Sequence, residues 1–560
     1  MFSPASARRV ATASSSRSRF DVNQDPTETL EADYVIAGGG SAGCVAARRL
    51  IDAGHSVILL EAGGDDRSPA VYVPAGSAKL VGDPRYDWKY EVEPDPSRNG
   101  RIDTWPSGKV LGGGGSINGM LYLRGHPADY DRWVQQGAKG WSFAEVLPYF
   151  LRAERNENGA GEFHSDQGLL GVANLRVRHP FNRLFIDACV AAGIPRNDDF
   201  NGATQEGVGY YQATQWGGLR CSASRGYLRP IWDHAKLQLM KRAFVSRIRV
   251  RNGVAEAVEF SHYGVAKLAR ARREVLLAAG TIGSPKILML SGIGPRAELE
   301  RHGITCVSDL PGVGRNLREH PGIILSYDVS MRTMNVDAHS RWRFALRALQ
   351  FALLRRGPGT SPISHVGAFF RTRPELPAYD AQLHFQPLGY EVTPDKVLLA
   401  EANRVSLAVN ATQPGSRGTI KLRSPHPQDA PLIEHSLVGA DADVRTLIDG
   451  ARVMRSIFSS PALRDYVQKE YLPGEGVSTD EQWEAYVRAG AFAMYHPIGT
   501  CRMGDAADPS AVVDPELRVK NIQQLRVIDA AVMPSLPSCN TNGPTIMVAE
   551  RASALVLGTK

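Results

Sequence analysis

Residues 34–43 read Tyr-Val-Ile-Ala-Gly-Gly-Gly-Ser-Ala-Gly, and Glu61 closes the next apolar run, Val57-Ile58-Leu59-Leu60. Gly38, Gly40 and Gly43 are spaced as G-x-G-x-x-G, directly after a β-branched strand and ahead of a helical stretch (Ala46, Ala47, Leu50, Ile51) that ends at Gly54. Each part has a physical use. Gly38 permits the tight turn, Gly40 lets backbone approach a pyrophosphate, and Gly43 lets helix pack on strand. The pyrophosphate then sits on the free amides of the helix start, at Ser41 and Ala42. Glu61, eighteen residues past Gly43, is placed to accept hydrogen bonds from both ribose hydroxyls. A glycine turn alone is common, but strand, glycines, helix, second strand and acid in this order predict a dinucleotide-binding unit.

The remainder of the chain is large and ordinary in composition. Its 560 residues exceed one usual domain, so two domains or one interleaved body are expected. The net charge of +7, from 65 basic and 58 acidic residues, is mild and not gathered into a block of the kind that binds nucleic acid. No apolar run approaches the ~20 residues that span a bilayer. The six cysteines, Cys44, Cys189, Cys221, Cys306, Cys501 and Cys539, form no C-x-x-C pair. They suggest neither a metal site nor a disulfide framework, and a reducing compartment such as the cytoplasm fits. Residues 1–20 carry Arg8, Arg9, Arg17 and Arg19 and no acid. That tail reads as a solvated extension or as a mitochondrial transit peptide, and lacks the apolar core of a secretory signal.

Pattern along the chain predicts an α/β architecture. A tail at 1–31 precedes a Rossmann-like dinucleotide-binding domain at 32–325, with covering segments inserted around 141–220. Strands such as Ala381–Phe385 and Val405–Val409, mixed with amphipathic helices such as 441–458, predict a second, α+β domain at 326–495 built on an antiparallel sheet. Residues 496–560, with the strand Leu525–Ile528 and a helix over 545–557, read as a return to the first domain.

Gly112 to Gly115 stand in a row within Pro106-Ser-Gly-Lys-Val-Leu-Gly-Gly-Gly-Gly-Ser-Ile-Asn-Gly119. In a packed element each costs about 0.5–1 kcal/mol relative to Ala, so this run belongs where backbone touches a ligand. Together with Ala278–Pro285, Ser291–Pro295, Leu310–Leu317 and Tyr495–Gly504, the segment resembles the glucose–methanol–choline flavoprotein oxidoreductases. The likeness spans residues 33–557 and is strongest to choline-dehydrogenase-like and polyethylene-glycol-dehydrogenase-like alcohol dehydrogenases.

The resemblance implies FAD, with the adenosine on Gly38, Gly40, Ser41, Ala42, Gly43 and Glu61 and the flavin ring near Val110, Gly113 and Asn118. Val245 matches the residue whose backbone meets the adenine, and Asp529 an Asp near the flavin; read alone, Asp529 is a helix cap. Ile117 stands where members with covalently bound flavin carry a histidine, which implies non-covalent FAD. Removing hydride from an alcohol requires a base for the hydroxyl proton and a second polar group for the oxygen. The resemblance gives these roles to His496 and Asn540, with Asn542 as a rival for the second. No metal is implied.

The implied reaction is oxidation of a primary alcohol, with electrons passed to a quinone, cytochrome or other acceptor. An oxidase using O2 is the near alternative, and a flavin-containing lyase or photodecarboxylase the alternative of another class. His365 falls where choline-type members carry a Glu, which favours an uncharged alcohol over choline. In the segment 341–356, Phe344, Ala348, Phe351 and Leu354 form one helical stripe beside five arginines and no acid. That segment reads as a core-packed helix with a basic face, or as a helix in peripheral contact with an anionic membrane.

Overall fold

The computed structural model describes residues 28–392 and 397–559. The strand Thr29–Ala37 pairs in parallel with Val57–Glu61 on one side and with the long strand Val265–Leu277 on the other. Val35, Ile36 and Ala37 are fully buried. Burial on both faces explains why this run is continuously apolar rather than alternating. The sheet has seven strands, in the order 237–241, 57–61, 29–37, 265–277, 254–262, 243–251, with Leu525–Val527 added beside 265–277. The chain's last segment therefore completes its first sheet. The helix Ser41–Asp52 follows the glycine turn and stops at Gly54, whose φ of +85° suits glycine.

The second sheet is also seven-stranded and antiparallel throughout, in the order 467–472, 321–329, 404–411, 381–386, 366–370, 207–210, with Phe492–Ala493 beside 321–329. Its two faces differ. Ala381, Leu383 and Phe385 join Ile323, Leu325, Leu407 and Val409 in an apolar core. The helix Asp441–Phe458 closes that core with Val444, Leu447, Ile448, Ala451 and Met454, apolar at helical spacing. The alternate residues Gln382, His384 and Gln386 point to the other face and are buried as well.

Several boundaries differ from those expected of the sequence. The first strand starts at Thr29, ahead of residue 32, and residues 1–27 of the expected tail lie outside the described residues. The border at 325/326 falls inside the strand Pro321–Val329, all of which belongs to the second sheet. Gly207–Tyr210, from the inserted segment, is that sheet's edge strand. The helix Arg341–Leu354 forms, but the core-packed reading does not hold: Phe351 alone of its residues is buried. No described helix is long and apolar enough to cross a membrane.

Candidate functional site

A cavity of about 1310 Å³ draws its wall from both sheets. Gly38, Gly40, Ser41, Ala42, Glu61, Gly113, Asn118, Val245, Asp529, His496 and Asn540 all line it, so residues scattered over five hundred positions meet there. Two expected residues do not. Gly43 is needed for packing, since a Cβ there would stand 1.9 Å from the Gly38 carbonyl oxygen. Val110 is fully buried in a cluster with Val71, Leu80 and Ile117.

The glycines sort by what a side chain would meet. A Cβ on Gly38 would strike the Ala278 carbonyl at 2.3 Å, and one on Gly113 the Gly40 Cα at 2.8 Å. Gly40 and Gly114 instead look into open space, with no atom nearer than 3.9 Å to the added carbon. Backbone is thus bared to the cavity at those two points. The helix behind Gly40 has no side-chain cap and no acid in its first turn, which leaves its amides for a ligand's negative charge. Glu61 accepts from the Gly39 amide at 2.9 Å and the Gly63 amide at 2.6 Å. Each carboxylate oxygen keeps a second acceptor position. These features fit a dinucleotide such as FAD.

Behind the second motif, Asn118 Oδ1 accepts from the Arg220 guanidinium at 2.8 Å. Arg220 is buried with no carboxylate partner among the described residues, and burial pulls its pKa down to about 9. Asp529 accepts from Ser284 Oγ at 2.6 Å and the Gly280 amide at 2.9 Å through one oxygen, and from the Ala531 amide at 2.8 Å through the other. It therefore caps the short helix Ala530–Val532 while also lining the cavity. Asn542 also lines the cavity and donates to Ser41 Oγ at 2.9 Å.

The histidine pair is held by a chain of hydrogen bonds whose direction can be read from its end. The Thr412 carbonyl can only accept, so His320 Nε2, at 3.0 Å, carries a proton. Neutral His320 then has a bare Nδ1, which accepts from His496 Nδ1 at 3.0 Å. That leaves His496 Nε2 unprotonated, facing Asn540 Nδ2 at 2.9 Å. Asn540 Oδ1 in turn accepts from Gln382 Nε2 at 3.1 Å, which fixes which way the amide faces. His496 follows Tyr495, whose φ of +63° is unusual for a residue with a side chain.

Burial, and then the neighbouring His320 and His384, hold the His496 pKa well below its ordinary value. Burial likewise pulls His320 down to about 4 and His384 to about 3. Glu319, fully buried, accepts from the backbone amides of His496 and His320, and burial pushes its pKa up to about 8. His320, Glu319, Gln382 and His384 were not expected of the sequence. Glu319-His320 follows two residues after the motif ending at Leu317. Gln382 and His384 show there only as buried-strand alternates. His365 is buried just behind the cavity wall, bonded to the lining residue Ser361 at 2.7 Å through its Oγ and to Asn182 Nδ2 at 3.1 Å.

Comparison with known proteins gives the family. Models of the GMC oxidoreductase family match residues 32–322 and 414–549. The chain is 40% identical to an oxygen-dependent choline dehydrogenase of Sinorhizobium medicae over 94% of its own length and 96% of the relative's. It is 38% identical to an alcohol dehydrogenase [acceptor] of Pseudomonas putida, covering 94% of this chain and 95% of that one. Among solved structures, pyridoxine 4-oxidase from Mesorbium loti superposes with a TM-score of 0.83 at 28% identity, over 93% and 98% of the two chains. The chain belongs to the GMC oxidoreductase family, an FAD-dependent enzyme that oxidises alcohols.

Proposed function

We propose that the substrate is an uncharged primary alcohol, oxidised to the aldehyde, with His496 as base and Asn540 as partner to the oxygen. The observation that carries this reading is the bond between Asn540 Nδ2 and His496 Nε2, both residues standing in the cavity wall. An alcohol oxygen entering between the two gives its proton to Nε2 and accepts from the amide, which steadies the negative charge that builds as the proton leaves. His496 then becomes an imidazolium, still donating through Nδ1 to His320, with the Glu319 carboxyl behind its own backbone amide. When bound, FAD would supply the hydride acceptor, and Ile117 in the cavity wall offers it no nucleophile for a covalent link.

The cavity's carboxylates support an uncharged substrate. Among the described residues these are Glu61, Asp337 and Asp529. Glu61 and Asp529 accept from backbone, and Asp337 pairs with Arg332 and Arg347. None is left to meet a quaternary ammonium. Choline is the second reading, favoured by the choline dehydrogenases at up to 40% identity. For the electrons we propose a lipid-soluble quinone or other non-oxygen acceptor, reached through peripheral membrane contact.

A panel of alcohols, choline included, assayed with an artificial acceptor and with O2, tests substrate and acceptor together. Reduction of the bound flavin by simple primary alcohols, turning over with the acceptor but slowly with O2, is the expected result. A preference for choline over every uncharged alcohol overturns the substrate reading, and stoichiometric H2O2 overturns the acceptor. Acid precipitation is expected to release all flavin into the supernatant; flavin retained in the pellet contradicts non-covalent binding.

A further inference from the structure

The helix Arg341–Leu354 is apolar on two opposite faces. Phe344, Ala348 and Phe351 turn inward and form part of the cavity wall. Trp342, Leu346, Leu349 and Leu353 follow at i, i+4, i+7 and i+11, within an arc of about 60° at 100° per residue. They stand outward, 72%, 47%, 55% and 72% exposed. Six of the eighteen large apolar side chains exposed among the described residues are on this one helix. Val81, Phe344, Ile363 and Leu399 are exposed while also lining the cavity, so the apolar surface continues to the cavity's rim. A contiguous exposed patch of this kind marks an interaction surface.

Charge names the partner. From residue 338 to 374 there is no Asp or Glu. Arg341, Arg343 and Arg356 make no ion pair among the described residues, whereas Arg347 is taken by Asp337. An outward apolar stripe flanked by unpaired guanidinium groups fits the interface of an anionic bilayer, where the apolar side chains enter the headgroup boundary and the arginines meet phosphates. A second copy of the chain fits less well, since a two-fold contact sets the same patch against itself and brings these arginines together.

We infer that this helix docks the enzyme on anionic phospholipid, with the rim of the catalytic cavity opening at the membrane surface. Alcohols or quinones dissolved in the bilayer then reach the cavity without crossing water. Delivery of electrons to a bilayer quinone rests on the proposed dehydrogenase reaction, whereas docking does not.

The test is flotation of the holoenzyme with vesicles of phosphatidylcholine alone and of phosphatidylcholine mixed with phosphatidylglycerol. Binding is expected to the mixed vesicles and to weaken at high salt. Changing Trp342, Leu346, Leu349 and Leu353 together to Ser is expected to abolish it, with flavin content and alcohol oxidation by an artificial acceptor in solution unchanged. Arg341→Gln, Arg343→Gln and Arg356→Gln together are expected to weaken binding about 100-fold, roughly fivefold for each guanidinium. Holoenzyme that stays unbound at low salt overturns the inference. So does a lipid-free dimer in analytical ultracentrifugation that the four-Ser variant dissociates, which assigns the face to self-association. Vesicle binding without flavin reduction by any alcohol leaves docking standing and removes the proposed reaction instead.

Discussion

At the scale of single residues, the proposed reaction rests on one ring nitrogen kept free of a proton. His496 is buried among other histidines and hydrogen-bonded so that its proton sits on Nδ1, away from Asn540. His496→Ala is expected to retain FAD yet slow anaerobic flavin reduction by ~10²–10⁴-fold, the contribution of a positioned acid–base group. Asn540→Ala is expected to cost ~10-fold or more, as for a lost donor to developing charge. His320 is fully buried and bonded to His496, and in the proposed reaction its part is positional. His320→Phe leaves the His496 Nδ1 proton without an acceptor and is expected to lower kcat ~10-fold or more at unchanged flavin content. His320→Gln, whose amide oxygen still accepts, should recover part of that loss. Stopped-flow reduction decides the set, and a near-normal rate in His496→Ala removes that residue from the chemistry. The sequence offered His496 and Asn540 as candidates because each sits in a local motif. It did not display their supports, because the bond from Gln382 to Asn540 spans 158 positions. Nothing in a strand's alternation tells which buried polar face meets which loop.

At the scale of elements, the segment after the helix Phe143–Ala153 shows how one titratable group can hold a loop. His164 Nε2 lies 2.8 Å from Asp199 Oδ2, and its Nδ1 3.1 Å from Glu154 Oε2. The hydrogen bond to Asp199, then that to Glu154, raises its pKa from 6.5 to about 9. A raised basic pKa stabilises the fold fully below the unfolded value, and that stability is lost as pH rises through the folded one. The urea midpoint is therefore expected to fall between about pH 6.5 and pH 9, and His164→Gln to flatten that slope. An unchanged slope in the variant would falsify the assignment. This loop's Gly-rich sequence gave no hint of the clamp, since Glu154, His164 and Asp199 come together only after folding. The helix 341–354 teaches a related lesson. Its helical period was legible, but both of its apolar stripes satisfy that period, and only the packing shows that Phe351 finds a core while Leu353 finds none.

At the scale of the whole molecule, the chain leaves its nucleotide-binding sheet to build the second sheet and then returns to close the first. The strand signals made that return legible. The exact border was not, because strands 207–210 and 321–329 join their sheet through partners distant in sequence. The return is locked by Glu550, fully buried on the last helix, Asn542–Leu557. Its carboxylate takes the Arg49 guanidinium through both oxygens at 2.8 and 2.7 Å and the Tyr227 hydroxyl at 2.7 Å. The pair joins the helix behind the first glycine motif to the helix that follows the Asn540 loop, so the proposed cofactor-binding turn and the proposed catalytic amide share one support. Removing one partner of a fully buried pair costs ~3–5 kcal/mol, and less is expected here because Arg49 is partly exposed and keeps Asp52 at 4.0 Å. Glu550→Ala is expected to lower the urea midpoint for flavin release and for loss of helical signal together, with Glu550→Gln, which keeps the hydrogen bonds, falling between it and wild type. If Glu550→Ala unfolds at the wild-type midpoint, the last helix is held by its apolar face alone and the ion pair contributes nothing to closing the molecule.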